Sequence, residues 1–260
     1  MILVFGGTTE GKKIAALLQE KEIPFVYSTK TNISFETTNI ASYRYGALTQ
    51  VLLKQYIVEH RIHTIINAAH PFAEILHTTV AKVAEALQIP VIRFGRKLLP
   101  KTKHPLVSYV GTYAAALEIL EKNKTLLALT GVQSIKKLKS WWQHNTTYFR
   151  ILNRPESLAI ASLDNFPKSQ LILGLPSSNL DEEIALITNK NIAYILTKET
   201  GNSGFLSTKI QAALHTNTKI LIITQPDLPS YFKQVFNEAE VYDLLVSTQA
   251  VSSLLKNPIV

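Results

Sequence analysis

Four stretches of this chain gather residues that can hold an anion or move a proton. The first, Gly6-Gly7-Thr8-Thr9-Glu10-Gly11, keeps the outer glycines of the G-x-G-x-x-G dinucleotide fingerprint and puts Thr8 where the middle glycine would stand. Glycines permit a tight turn and close approach to a pyrophosphate, and the N–H groups that open a following helix favour the anion. Thr8 would add a hydroxyl donor. The second stretch, Ser28-Thr29-Lys30, lies about 20 positions on, where an NAD site presents an acid to the ribose 2′-hydroxyl. Hydroxyls and a cation there suit a 2′-phosphate, hence NADPH with NADH still possible, or else form a solvated strand end.

The third stretch is Asn67-Ala68-Ala69-His70-Pro71-Phe72-Ala73, after an isoleucine-rich run. Pro71 suits a helix entry, so His70 is either a cap-region residue or, with Ala69, part of the wall beside a nicotinamide. The fourth, Thr197-Lys198-Glu199-Thr200-Gly201-Asn202-Ser203-Gly204, combines a cation, a carboxylate, hydroxyls and permissive glycines, with Lys209 a turn or more beyond. Such a loop can bind an anion or deliver a proton. Thr130-Gly131-Val132-Gln133 is a smaller echo of the glycine loop and a second candidate anion site.

All of these stretches fall between short apolar runs and amphipathic ones. Ile2 to Phe5, Pro24 to Thr29, Thr64 to Ala68 and Val91 to Phe94 read as strands, with helical patterns from Glu10, Thr49 and Phe72. After a basic, proline-punctuated linker, residues 95–105, strands recur at Leu126 to Leu129, Leu171 to Leu173, Ala193 to Leu196 and Lys219 to Ile223. Helices there start near Ser134, Pro155, Ser178 and Gly204, with Ser178 and Asp181 spaced as a capping box. The alternation predicts an α/β fold of two Rossmann-like domains, 1–98 and 99–260, each a mostly parallel sheet flanked by helices, with the active site in the cleft between them. In such sheets ligands bind past the carboxyl ends of strands, where all four stretches lie.

Composition narrows the chemistry. With 260 residues and no cysteine, the chain has no thiolate ligand or nucleophile, so any redox step must use a dissociable cofactor. The pairs His60 with His63 and His104 with His144 have no companion acids at ligand spacing, and no metal is expected. No apolar run reaches the ~20 residues of a bilayer span, so a cytoplasmic protein without a membrane partner is expected. The net charge of +8 allows nucleic acid, but the densest basic cluster, Lys136-Lys137-Leu138-Lys139, lacks interleaved aromatics, which argues against it. Nothing sets an oligomeric state.

Taken in order, the segments resemble the precorrin-6A and cobalt-precorrin-6A reductase family of cobalamin biosynthesis. The family's GGT-x-E loop corresponds to Gly6 to Glu10, its D-A-T-H-P-F-A signature to Asn67 to Ala73, and its arginine after isoleucine-proline to Arg93. Thr130-Gly131-Val132, Arg150-Ile151-Leu152 and the K-D-S-G-type loop at Lys198 to Gly204 extend the likeness over nearly the whole chain. Departures include Asn67 for an acid, Ala69 for a threonine, Glu199 for an aspartate, Thr200 for a serine, Gln225 for an arginine, and Leu175 and Phe205 for glycines.

The resemblance implies reduction of a double bond in an anionic tetrapyrrole by hydride from a nicotinamide cofactor. Gly6, Gly7, Thr8, Thr9 and Glu10 would lie at the phosphates, Ser28, Thr29 and Lys30 near the 2′-phosphate, and Ala69 and His70 beside the nicotinamide. Thr130, Gly131, Arg150, Thr200, Gly201 and Lys209 would contact substrate, with Lys198 and Arg93 as further carboxylate clamps. Glu199 is the first candidate acid, with Lys198 and His70 as alternatives. Other two-domain NADP oxidoreductases and a non-catalytic dinucleotide sensor are the rivals; a short-chain-dehydrogenase-like enzyme would want a Tyr-x-x-x-Lys pair.

Overall fold

The computed structural model describes residues 1–200 and 204–256. The chain forms two compact units, Met1–Lys97 with Pro226–Val260, and Leu98–Gln225. The first begins with β1 (Ile2–Phe5), α1 (Thr9–Glu20), β2 (Phe25–Thr29), β3 (Ala41–Tyr45), α2 (Gln50–Glu59), β4 (Thr64–Asn67), α3 (Glu74–Ala86) and β5 (Val91–Phe94). The second contains β6 (Val107–Val110), α4 (Tyr113–Ile119), β7 (Leu126–Leu129), α5 (Ser134–Lys137), α6 (Lys139–Trp142), β8 (Thr147–Ile151), α7 (Pro155–Leu163), β9 (Leu171–Leu173), α8 (Leu180–Asn189), β10 (Tyr194–Lys198), α9 (Leu206–His215) and β11 (Lys219–Ile223). The chain then returns to the first unit with β12 (Lys233–Val235) and α10 (Glu238–Lys256).

Each unit is a six-stranded sheet in which every neighbouring pair is parallel, and both share one plan. The first reads β3-β2-β1-β4-β5-β12 and the second β9-β8-β7-β10-β11-β6. Counting from β1 in one and β7 in the other, each follows the 3-2-1-4-5-6 order of a doubly wound sheet. The sixth place is exchanged in sequence: β6 directly follows β5 along the chain yet pairs with β11, while β12 pairs with β5 through Lys233↔Ile92, Gln234↔Arg93 and Val235↔Phe94.

Strands buried on both faces read as continuous apolar runs, as the first unit shows. Ile2 and Val4 face one core with Ile14, Leu18, Phe25 and Tyr27; Leu3 and Phe5 face another with Leu53, Ile57, Val80 and Ala84. α1 starts where it does because Thr8 Oγ1 accepts from Gly11 N at 3.0 Å, and its Ile14, Ala15 and Leu18 form the buried stripe.

This corrects the expected boundary of 99–260. The second unit closes at Gln225, because β5 would otherwise be an open edge, and Val235, Val241 and Leu245 complete the core that holds α1. The expected capping box also shifts by one residue. Asn179, not Ser178, caps α8, accepting from Asp181 N at 2.9 Å and Glu182 N at 3.4 Å.

Candidate active site

In a doubly wound sheet the crevice opens where strand order reverses, between the first and fourth strands. In the first unit that places the loops after β1 and β4 together, residues 6–8 and 68–73; in the second, residues 130–133 after β7 and 199–200 and 204–205 after β10. The chemistry-bearing loops read from sequence at strand ends thus include both crossover pairs.

The glycine loop is built around Tyr27. Its hydroxyl accepts from Gly7 N at 3.0 Å, and a Cβ on Gly6 would overlap its ring. Gly11 is just as confined, with Gly6 Cα and the Tyr27 hydroxyl 2.7 Å from where its Cβ would stand. Gly7 has φ +85, and the Thr29 side chain lies 3.7 Å from where its Cβ would stand. Thr8, expected as a phosphate donor, is occupied elsewhere. Its hydroxyl donates to Ala68 O at 2.7 Å while capping α1, so it ties the two crossover loops together.

Glu10 likewise is no phosphate contact through its side chain. Arg96 grips both carboxylate oxygens at 2.6 Å. Although burial opposes it, that guanidinium holds the Glu10 carboxyl below its ordinary pKa. The pair cancels a negative charge that would otherwise face an anion at the start of α1. Among the described residues the N–H groups of Thr8 and Thr9 make no hydrogen bond. A twelve-residue helix thus presents donors and the positive end of its dipole beside a glycine at φ +85, which fits a pyrophosphate.

The loop after β4 hides a network that the sequence reading missed. Arg93, 2% exposed on β5, donates through Nη1 to Asn67 O at 2.9 Å, Asn67 Oδ1 at 3.1 Å and Ala69 O at 2.8 Å. It is therefore a buried brace of this loop and not a substrate clamp. No carboxylate pairs with it among the described residues, and burial pushes its pKa down to about 10. Asn67 also reaches His77 Nδ1 at 3.0 Å, and His77 Nε2 faces the carbonyls of His70 and Pro71 at 3.1 and 3.2 Å. Two carbonyls at Nε2 require the proton there, so Asn67 donates to a bare Nδ1. Burial foremost, then the Arg93 charge, pushes His77 down to about 4. His77 sits three, four and seven residues before Val80, Ala81 and Ala84 on the buried face of α3, a polar interruption of an apolar stripe that could have flagged it. Ala69 is buried, while His70 is exposed and accepts from Phe72 N at 3.2 Å.

In the second unit, Thr130 bonds Ser134 Oγ at 2.6 Å, and Ser134 in turn donates to Gly131 O at 2.6 Å. This hydroxyl relay closes the turn, and Gly131 supplies its φ of +82. Arg150, expected to clamp a substrate carboxylate, instead holds both oxygens of Glu183 at 2.6 and 2.9 Å, joining β8 to α8. Its fork is filled. Lys209 is buried on α9 with Nζ 3.5 Å from Thr197 Oγ1; burial and the nearby Arg150 charge push it down to about 8 despite the pull of Glu183.

Glu199 follows β10 and is 4% exposed. Its Oε2 accepts from Gln225 N at 3.0 Å, and its main-chain O accepts from Gln225 Nε2 at 3.0 Å. The side chain borders a cavity of about 340 Å³ shared with Leu99, Thr102, Tyr109, Leu206 and Ile210, at the small end for a ligand pocket. Lys198 and Thr200 flank it, both half-buried; Gly201 lies outside the described residues. A Cβ on Gly204 would collide with the Thr200 side chain, and Phe205 takes φ +52 where the resembled family has glycine.

A Tyr-x-x-x-Lys spacing does occur, at Tyr194 and Lys198, but on strand β10, with the tyrosine hydroxyl donating to Glu121 at 2.6 Å. It is not the one-turn helical pair that a short-chain dehydrogenase would want. Among the described residues no cluster of three or more metal-ligating side chains occurs, and no helix is long and apolar enough to cross a membrane.

Two parallel six-stranded sheets of the same strand order, each flanked by helices, define a protein of the doubly wound α/β class. The family model described as Precorrin-6x reductase CbiJ/CobK matches residues 1–245, and the chain belongs to that family, as an oxidoreductase of the precorrin-6A reductase type. It is 29% identical over 244 residues to the cobalt-precorrin-6A reductase of Methanococcus maripaludis, covering 90% of this chain and 95% of that one. It is 24% identical over 234 residues to the precorrin-6A reductase of Mycobacterium tuberculosis, covering 88% and 90%. A solved structure titled CobK precorrin-6A reductase shares the fold, with a TM-score of 0.77 at 19% identity over 95% of this chain and 96% of that one.

Proposed function

We propose that this protein reduces a double bond of a precorrin-6A-type macrocycle, metal-free or cobalt-bearing, using NADPH held on the first unit, with Glu199 supplying the proton. The observation that carries this reading is the first crossover: a glycine at φ +85, the start of a twelve-residue helix with unbonded N–H groups, and an adjoining loop braced by Arg93. The cofactor supplies hydride when bound. The chain's part is to hold its pyrophosphate on the N–H groups of Thr8 and Thr9, keep Glu10 neutralised by Arg96, and set Ala69 and His70 by the rigid 67–73 turn.

Reduction of a conjugated double bond leaves an electron-rich carbon that needs a proton. Glu199 suits that role, since one carboxylate oxygen is fixed by Gln225 and the side chain borders a cavity. A cavity of about 340 Å³ accommodates a carboxylate arm of the substrate more readily than a whole macrocycle. Lys198, Thr200, Gly201 and Lys209 lie on or after that loop as anion contacts, and Thr130 and Gly131 form the turn across the crossover.

Incubation of the purified protein with metal-free and cobalt-bearing precorrin-6A, and with each nicotinamide, is expected to show loss of reduced-cofactor absorbance with NADPH. Glu199→Gln should slow turnover by roughly 10²- to 10⁴-fold while leaving NADPH affinity intact. Unchanged turnover in that variant would remove Glu199 from the chemistry.

A further inference from the structure

At the end of β3 stands a cation with no part in the scheme above. Arg44 pairs in register with Ser28 of β2, and its Nη1 donates to Ser28 Oγ at 2.6 Å. Its Nη2 donates to the carbonyls of Tyr45 and Gly46, both at 2.9 Å. Gly46, at φ +106, provides the turn that presents the second of these carbonyls. The guanidinium carbon lies 5.5 Å from the centroid of the Tyr56 ring. All these partners are neutral, and no carboxylate forms an ion pair with Arg44 among the described residues.

A guanidinium fixed by three hydrogen bonds and an aromatic face is preorganised, so an anion that binds it costs little side-chain entropy. Its place decides which anion. In a doubly wound sheet the loop after the first strand takes the pyrophosphate, and the end of the second strand takes the adenosine ribose. An acid there would accept from a 2′-hydroxyl, but residues 28–32 are Ser-Thr-Lys-Thr-Asn. Ser28 accepts from Arg44 and so keeps its own O–H for an acceptor. Thr29 does not: its hydroxyl donates to Thr31 O at 2.7 Å and shares a contact with Tyr43.

We propose that Arg44 is the residue that recognises the 2′-phosphate of NADPH, with Ser28 as its hydroxyl partner and exposed Lys30 as a second charge. This rests on the NADPH reading above. It assigns cofactor choice to an edge strand, one strand further along the sheet than the Ser28–Lys30 segment itself.

The test is equilibrium binding of 2′,5′-ADP and 5′-AMP, which differ only in the 2′-phosphate, to the full chain and to Arg44→Gln and Arg44→Lys. The wild-type protein should prefer 2′,5′-ADP. Arg44→Gln should weaken 2′,5′-ADP by roughly 10- to 100-fold with 5′-AMP unchanged, and Arg44→Lys should retain part of the preference. Equal weakening of both probes would make Arg44 a brace of the loop and overturn the assignment. So would a preference that survives Arg44→Gln, which leaves NADPH use standing. A wild-type protein that binds 5′-AMP as well as 2′,5′-ADP would instead overturn the NADPH reading and this assignment with it.

Discussion

Held between Asn67 Nδ2 and the carbonyls of His70 and Pro71, the His77 ring is neutral in the folded protein, and charging it costs stability. Its folded pKa of about 4 lies below the ordinary 6.5, so the unfolded chain binds more protons between those values. Stability is then fully present above about 6.5 and declines as pH falls toward 4, by an amount on the order of 3 kcal/mol. NMR titration of the ring and denaturant melts at several pH values should show this slope, and His77→Gln should flatten it. Asn67→Asp, which restores the acid of the resembled family, should raise the His77 pKa, since a carboxylate welcomes a protonated Nδ1. A ring that titrates normally in the native protein would contradict the network. Spacing could mark His77 as a polar break in the apolar stripe of α3, but not its partners. A histidine ten residues from its asparagine and an arginine 26 residues away meet only because parallel strands bring β4 and β5 side by side.

At the scale of elements, the Arg150–Glu183 pair joins β8 to α8, with side chains only 10% and 2% exposed. Removing one partner leaves a buried charge, and Arg150→Gln should destabilise the second unit by about 3 kcal/mol in denaturant melts. A wild-type melt in that variant, accompanied by a raised substrate KM, would restore the substrate-clamp role expected from sequence. The elements themselves were unevenly readable. Strands at sheet centres, β1, β4, β7, β10 and β11, are continuous apolar runs and stand out. β2, β5 and β9 could also be read; of the four strands that could not, β3, β6 and β12 lie at sheet edges, where one side needs no apolar cover, and β8 alternates buried and half-buried residues around Arg150. The loops after β1, β4, β7 and β10 could be placed because their strands could be read, but the partners that occupy Thr8 and Glu10 could not. Arg44 was missed because its strand was missed. Phe205 is the reverse case: the sequence marked it as a lost glycine, and its φ of +52 shows that the turn was kept at a cost of about 1 kcal/mol.

At the scale of the molecule, alternation announced two α/β units, and the sheets then share one strand order. What alternation could not show is which sheet a strand joins, because β6 and β12 are equally good sixth strands by composition. Hydrogen exchange offers a direct check. Val241→Ala cuts into the core beneath α1, so amides of β1, α1 and β5 should lose protection while those of β7, β10 and β11 keep theirs. Uniform loss across both sheets would instead mean that the units unfold as one.

The exchanged sixth strand also sets an order of assembly. A nascent chain ordinarily completes its N-terminal unit first. Here the first unit has to wait for β12 and α10, whereas Leu98–Gln225 carries all six strands of its own sheet by the time Gln225 is made. The half that is translated later is therefore finished earlier, and the glycine loop is seated on a complete sheet only when β12 has emerged. A chain truncated at Gln225 and released into solution should show protease resistance in the second unit and cleavage within the first.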